Sequence, residues 1–82
     1  MLLEEFDAVI DRMNLALETA KNLGQPIEEA KILYQMNAIL PDNLRLTLDD
    51  IDDESMAKQI VILYKNQIKS KITEFREHLM LN

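Results

Sequence analysis

Glycine and proline, the residues that most often form tight turns, are almost absent from this chain. Its 82 residues include one Gly and two Pro, which is too few for the many turns of an all-β domain. Hydrophobic residues make up 48% of the chain and charged residues 29%, and these proportions are usual for a globular protein and unusual for a disordered one. A chain of this length forms a single domain.

The first predicted helix covers about residues 2–22. Its apolar residues recur at alternating steps of four and three, which is a heptad pattern. A third apolar row widens the stripe, as expected for a core-facing helix of a bundle. Gly24 and Pro26 follow directly and predict where the helix ends. The heptad rows consist of Leu2, Phe6, Val9, Met13, Ala16, Ala20 and Leu23, and the third row consists of Leu3, Ile10 and Leu17.

The second predicted helix covers about residues 26–40. It begins with a proline, which suits a first helical turn, and Pro41 disfavours a helical conformation for the residue before it. Apolar residues surround most of this helix and leave a narrow polar arc of Glu28, Lys31 and Gln35. Because such a helix is buried on most sides, we expect it to be sandwiched between other elements or to form part of an oligomer interface.

A connector of residues 41–47 leads into the third helix, which is predicted for about residues 48–80. Leucines alternate with polar residues in the connector, and this pattern is typical of an extended segment. The segment is either a linker pinned by its leucines, which we favour, or a strand that pairs with another chain. Thr47 is placed to cap the third helix, and Leu46 and Ile51 stand at the positions of a hydrophobic staple. The alternative is that the long helix is not continuous from Thr47 and restarts after Asp53.

Together these elements predict an all-α fold, in which an antiparallel helical hairpin packs on a longer third helix. A chain this small without cysteine needs either a partner or regular helix packing for its stability. The length of the third helix favours a homodimer in which the long helices pair. The predicted oligomer interface consists of Ile32, Ile39, Ile68, Ile72, Phe75 and Leu79.

Few residues could support catalysis. The absence of Cys excludes disulfides, thiolate metal sites and thiol nucleophiles. His78 is the only histidine, and Ser55 and Ser70 have no base close to them in sequence. One glycine cannot form a phosphate-binding loop. We therefore predict a protein that is not an enzyme, with no catalytic residue, no cofactor and no metal site.

The predicted location is the cytoplasm. No apolar stretch approaches the roughly 20 residues that a membrane-spanning helix needs, and the first five residues lack the basic start of a signal peptide. We therefore expect no membrane association. Small size, acidity and the lack of cysteine also suit an accessory protein of a phage or mobile element.

Five carboxylates occur within residues 49–54, which we call the acidic segment. Such a cluster can hold Ca²⁺ or Mg²⁺, or it can cap a helix and complement its dipole. Capping is favoured, since the segment has no glycine for an EF-hand turn. The carboxylates are nevertheless denser than capping requires, so they suggest a basic surface on a partner. The predicted partner-binding residues are Asp49, Asp50, Asp52, Asp53, Glu54, Leu44, Leu46, Tyr34 and Met36.

Charge is unevenly divided along the chain. Residues 1–54 carry 13 acidic and 4 basic side chains, a balance of -9, whereas residues 55–82 carry 2 acidic and 5 basic ones, a balance of +3, which together give the net charge of -6. The acidic field opposes direct nucleic-acid binding, and no interleaved aromatic residues could stack bases. A basic edge of the third helix is expected to pair with acidic residues of the first, within one chain or across a dimer. This edge consists of Lys58, Lys65, Lys69 and Arg76.

Asn37 is a polar residue inside the apolar surface of the second helix. A buried asparagine in such a position specifies the register or oligomeric state of some coiled coils. The simpler interpretation is that its side chain bonds to backbone near the end of the helix.

Three functions are compatible with these features. The first is a non-enzymatic interaction protein that binds a protein partner and inhibits it, regulates it or chaperones its assembly. The second is an acidic mimic of nucleic acid that blocks a DNA- or RNA-binding protein. The third is a structural homo-oligomer in which the apolar surplus is used for self-association.

Overall fold

The computed structural model describes residues 2–81, which contain three α-helices and no strand. Helix α1 spans Leu3–Asn22, α2 spans Pro26–Ile39 and α3 spans Glu54–Leu81. The structure therefore confirms the all-α three-helix bundle with a longer C-terminal helix. The homodimer stays a prediction.

The turn between α1 and α2 forms where its residues predict it. Gly24 has a φ of 66°, a conformation that glycine adopts without steric strain. The Gln25 amide donates a hydrogen bond of 2.9 Å to the carbonyl of Ala20, which satisfies a carbonyl in the last turn of α1. Pro26 then begins α2, so the local signals alone are sufficient to define this boundary.

Helix α2 is the centre of the bundle. It packs against both of the other helices, whereas α1 and α3 make few contacts with each other. One contact between α1 and α3 joins Phe6 to Phe75, whose ring centroids lie 5.3 Å apart in an edge-to-face arrangement. The prediction of a sandwiched second helix is thus confirmed. The largest fully buried side chains are Phe6, Leu17, Leu33, Met36, Leu40 and Ile68.

Helices α2 and α3 run in the same direction. Near their starts, Ala30 packs in one cluster with Ala57 and Ile60, and Leu40 beyond the end of α2 shares the larger cluster with Ile68 of α3. Two parallel neighbours need a crossover between them. The connector therefore has to return along the whole length of α2 before α3 can begin.

This return path corrects the predicted start of α3. The helix begins at Glu54, not at about residue 48, and the cap is Asp53, whose Oδ1 accepts a 2.8 Å hydrogen bond from the Met56 amide. A helix starting at Thr47 would place its first residue about 30 Å from the end of α2, counting about 20 Å for α2 and about 10 Å for the extra turns. Residues 41–46 span at most about 20 Å, so the capping signal at Thr47 cannot be used.

The connector is a linker anchored by its leucines. The amides of Leu44 and Arg45 donate to the Pro41 carbonyl at 2.9 and 3.0 Å and form a turn, after which residues 45–52 have no regular secondary structure. Leu44 is buried, and Leu46 and Leu48 are partly buried against the core. The predicted connector of residues 41–47 is therefore too short, because the segment outside the helices continues to residue 53.

Asn37 joins the connector to α2. Its Nδ2 donates a 2.8 Å hydrogen bond to the Leu46 carbonyl, and its Oδ1 accepts a 2.9 Å hydrogen bond from the Leu46 amide. The side chain therefore satisfies both backbone groups of one residue, as a neighbouring strand would. The interpretation that Asn37 bonds to backbone is confirmed.

We predict that Asn37→Ala lowers the free energy of unfolding by about 2 kcal/mol, because it leaves two partly buried backbone groups of Leu46 without their partners. Urea denaturation followed by circular dichroism measures the loss. The control is Asn66→Ala on the exposed surface of α3, which should be neutral or stabilise by about 0.5 kcal/mol because alanine favours helix. Equal effects of the two substitutions would contradict the role of Asn37.

Candidate protein-binding surface

The acidic segment lies on the surface, and its five carboxylates have different local roles. Asp53 caps α3, and Glu54 pairs with Lys58 at 3.7 Å. The other three carboxylates are exposed and form neither an ion pair nor a side-chain hydrogen bond within residues 2–81. Capping thus explains one carboxylate, and most of the segment is free to bind something else. The three free carboxylates belong to Asp49, Asp50 and Asp52.

A depression of about 350 Å³ lies between the acidic segment and α2. Its walls include Lys31 and Tyr34 of α2 together with Asp50 and Ile51 of the connector. The depression lies where the connector passes beside α2 on its way to the start of α3. It places an aromatic side chain and a lysine next to the free carboxylates.

The Tyr34 hydroxyl is buried and has no hydrogen-bond partner among the described residues, which is rare for a buried polar group. Burial raises the pKa of Tyr34 above its ordinary value of 10.0, and the charges of Asp50, Asp49 and Asp52 raise it further. Tyr34 is thus a neutral hydrogen-bond donor held beside three negative charges.

Two residues of the predicted partner-binding set cannot reach a partner. Met36 is 1% exposed and Leu44 is 5% exposed, because both pack into the main core beneath the connector. Leu46 is partly buried, and Asn37 occupies its backbone groups. The prediction for Met36, Leu44 and Leu46 is corrected, because these residues hold the acidic segment in place. The residues of the set that a partner can reach are Tyr34, which is partly buried, and the exposed carboxylates of the acidic segment.

The predicted oligomer interface is mostly internal. Ile68 and Ile72 are buried, and the four others are partly buried against the same core, so they stabilise the single chain. The surface of α3 that was expected to pair with a second long helix packs instead within the chain. Ile32 also lines depressions between α1 and α2, and Ile72 lines the groove between α1 and α3. The four partly buried residues are Ile32, Ile39, Phe75 and Leu79.

One residue of the basic edge of α3, Arg76, pairs with α1 within one chain, as expected, whereas Lys58 pairs with Glu54 of its own helix. Arg76 donates from Nε to Oδ1 of Asp7 at 2.8 Å and from Nη2 to Oδ2 at 3.0 Å, which is a bidentate ion pair. This pair borders a groove of about 420 Å³ between α1 and α3, whose basic wall includes Lys69 and whose acidic wall includes Asp11. The edge thus faces carboxylates of its own chain, an arrangement that does not favour nucleic-acid binding.

Two kinds of feature do not occur in the part of the chain that is described. No group of three or more histidine, aspartate or glutamate side chains is arranged to hold a metal ion within residues 2–81. None of the helices there combines the length and apolar character of a membrane span. His78, Ser55 and Ser70 are exposed and form no side-chain hydrogen bond with another described residue.

The α1–α2 depressions were not predicted as a surface. They are lined by residues of α1 that the heptad pattern assigns to the core, including Val9, Met13 and Ala16. The signal was present in the width of the apolar stripe on α1, which exceeds what one neighbouring helix covers.

No protein-family model, no curated protein and no solved structure matches this chain. No property of a relative is therefore carried over to these residues.

We predict that Tyr34→Phe leaves the free energy of unfolding unchanged or raises it by up to about 1 kcal/mol, since it removes a buried hydroxyl without a partner. Denaturant unfolding measures the effect. Tyr64→Phe is the matched control. Like Tyr34, Tyr64 is partly buried and packs against the cluster of Ala30, Ala57 and Ile60. Unlike Tyr34, it is not among the residues with a buried hydroxyl that lacks a hydrogen-bond partner. A clear loss of stability in Tyr34→Phe alone would show that the hydroxyl does form a stabilising hydrogen bond.

A second prediction concerns Asp7. The hydrogen bonds from Arg76 lower the pKa of Asp7 below its ordinary value of 3.8, so the ion pair adds stability above pH 3.8 and loses it as the pH falls through the folded-state pKa. Asp7→Asn should therefore be less stable than the wild type near neutral pH, and the difference should shrink under strong acid. Denaturant unfolding across this pH range measures the difference. A difference that is constant with pH would contradict the prediction.

Asp42→Asn is the control for that experiment. Asp42 pairs with Arg45 at 3.3 Å, but its side chain is 97% exposed, and ion pairs of this kind contribute little to stability. Its substitution should change stability little at any pH.

Proposed function

We propose that this chain is a non-enzymatic interaction protein whose acidic segment binds a basic surface of a protein partner and modulates that partner's activity or assembly. The observation that carries the proposal is the state of Asp49, Asp50 and Asp52: all three are exposed and unpaired within residues 2–81, in a non-helical part of the connector. Unpaired like charges repel one another, so a positive surface that neutralised them would bind favourably.

The anchoring of the acidic segment supports this proposal. Asn37 and the connector leucines hold the backbone on one side of the carboxylates, and the Asp53 cap holds it on the other. A segment fixed at both ends loses less conformational entropy on binding than a free loop does. The depression beside it offers Tyr34 and Ile51 as further contacts.

The apolar surface of α2 gives little support for a binding surface. The sequence left open that this surface forms an oligomer interface, but α1, α3 and the connector cover most of it. The charged surface is therefore the stronger basis for a partner, and we propose a salt-sensitive interface.

Mimicry of nucleic acid has less support. A mimic needs carboxylates arranged along one surface, as phosphates are. The α1 carboxylates Asp11 and Glu18 line the groove opposite Lys69 and Arg76, whereas the free carboxylates of the acidic segment lie beside Lys31 on α2. Basic side chains thus lie beside both sets of carboxylates, and they interrupt the continuous negative surface that a mimic of nucleic acid needs.

The test is affinity capture from the native host with the wild type and with the triple variant Asp49→Asn, Asp50→Asn, Asp52→Asn. The wild type should retain a basic protein that increasing salt releases. The triple variant should retain about tenfold less of it, because it has lost the charges that attract the basic surface. Quantitative mass spectrometry measures the retained amounts.

The matched control removes three charges elsewhere, as Glu4→Gln, Glu5→Gln and Glu77→Gln, all at exposed positions. It should retain the partner as the wild type does. Equal loss in both variants would show that net charge alone governs binding, and no loss in either would contradict the acidic segment as the interface. Release of the retained protein by duplex DNA would favour mimicry.

A further inference from the structure

Two adjoining depressions form a continuous surface between α1 and α2. Their volumes are about 430 and 320 Å³, and they share Arg12, Ala16 and Ile32. Together they extend from Val9 to Ala20, about 16 Å along the helix axis. We call this surface the α1–α2 face, and it includes Val9, Arg12, Met13, Leu15, Ala16 and Ile32.

The α1–α2 face exists because the apolar stripe of α1 is wider than the bundle covers. Phe6 and Leu17 lie in the core, but the row that repeats every seven residues at Val9, Ala16 and Leu23 stays at or near the surface. Val9 is partly buried, Ala16 is exposed and Leu23 is 65% exposed. An apolar row of this kind on a core-facing helix indicates a second packing neighbour.

We infer that the α1–α2 face binds the same face of a second copy of this chain, with the two α1 helices antiparallel and Ala16 on the two-fold axis. In such a pair, residues equally far before and after Ala16 face each other. Val9 of one copy therefore faces Leu23 of the other, and each apolar side chain of the row meets another. The small Ala16 side chains allow the two helices to approach closely.

Charge favours the same arrangement. Arg12 lies four residues before Ala16 and so faces Ala20 of the second copy, and Glu28 lines the same depression as Ala20. Arg12 forms no ion pair within residues 2–81, and Glu28 pairs only with Lys31, at 3.5 Å on the exposed surface. Opposite charges therefore meet at two symmetric places. This self-complementarity indicates a second copy as the occupant.

The inference is independent of the proposed function, because it uses a different surface. It requires neither the carboxylates of the acidic segment nor a foreign partner. The pairing involves two short helices per copy, so we expect a dissociation constant in the micromolar range, as for other small interfaces.

The test is sedimentation equilibrium from about 1 µM to about 1 mM protein, a range that covers such constants. The wild type should form a dimer. Ala16→Lys should weaken it at least about tenfold, because two like charges would meet at the two-fold axis. Ala38→Lys, the same substitution at an exposed position outside this face, should leave the dimer unchanged. Circular dichroism should show both variants folded.

A charge exchange supplies a second test that does not depend on Ala16. Arg12→Glu and Glu28→Arg should each weaken the dimer, because each places like charges opposite one another. The double variant restores opposite charges and should recover most of the affinity.

A wild type that stays monomeric over the whole range would overturn the inference. So would a dimer that Ala16→Lys leaves unchanged or that Ala38→Lys weakens equally. A double variant no tighter than the single ones would rule out the antiparallel register. Loss of dimer in Ala16→Lys with capture of the partner intact would separate this inference from the proposed function.

Discussion

The return path of the connector beside α2 determines much of the rest of this structure. Helices α2 and α3 lie side by side in the same direction, so the chain has to travel back about 20 Å before α3 starts. If α3 began at Thr47, residues 41–46 alone would have to cover the return, and they reach at most about 20 Å. Asn37 stabilises the non-helical return path by bonding both backbone groups of Leu46, and the connector leucines bury their side chains on the core. The exposed position of the acidic segment follows from this path.

Much of the fold could be predicted because its signals are local. Gly24 and Pro26 define the turn between α1 and α2, and Pro41 lies just beyond the end of α2. The start of α3 could not be predicted in the same way. Thr47 carries a helix-capping signal as good as that of Asp53. The choice between them depends on the distance from the end of α2 to the start of α3, which is a property of the tertiary structure.

The candidate site was partly predictable for a similar reason. Charge density in the sequence identified the acidic segment, since exposed carboxylates need no tertiary information to be recognised. Burial was harder to predict: Met36 and Leu44 have the same apolar character as surface-binding residues, and only the packing of the connector places them in the core. The unpartnered hydroxyl of Tyr34 likewise depends on the connector above it. On α1, the heptad pattern identified the apolar rows but not which row would remain uncovered.

The most direct test of this account is the backbone conformation of residues 47–53 in solution, measured by NMR chemical shifts. The account predicts non-helical shifts up to Asp52, helical shifts from Glu54, and nuclear Overhauser effects between the Asn37 side-chain amide and Leu46. Helical shifts beginning at Thr47, without those contacts to Asn37, would contradict the return path and the exposed array of carboxylates that depends on it.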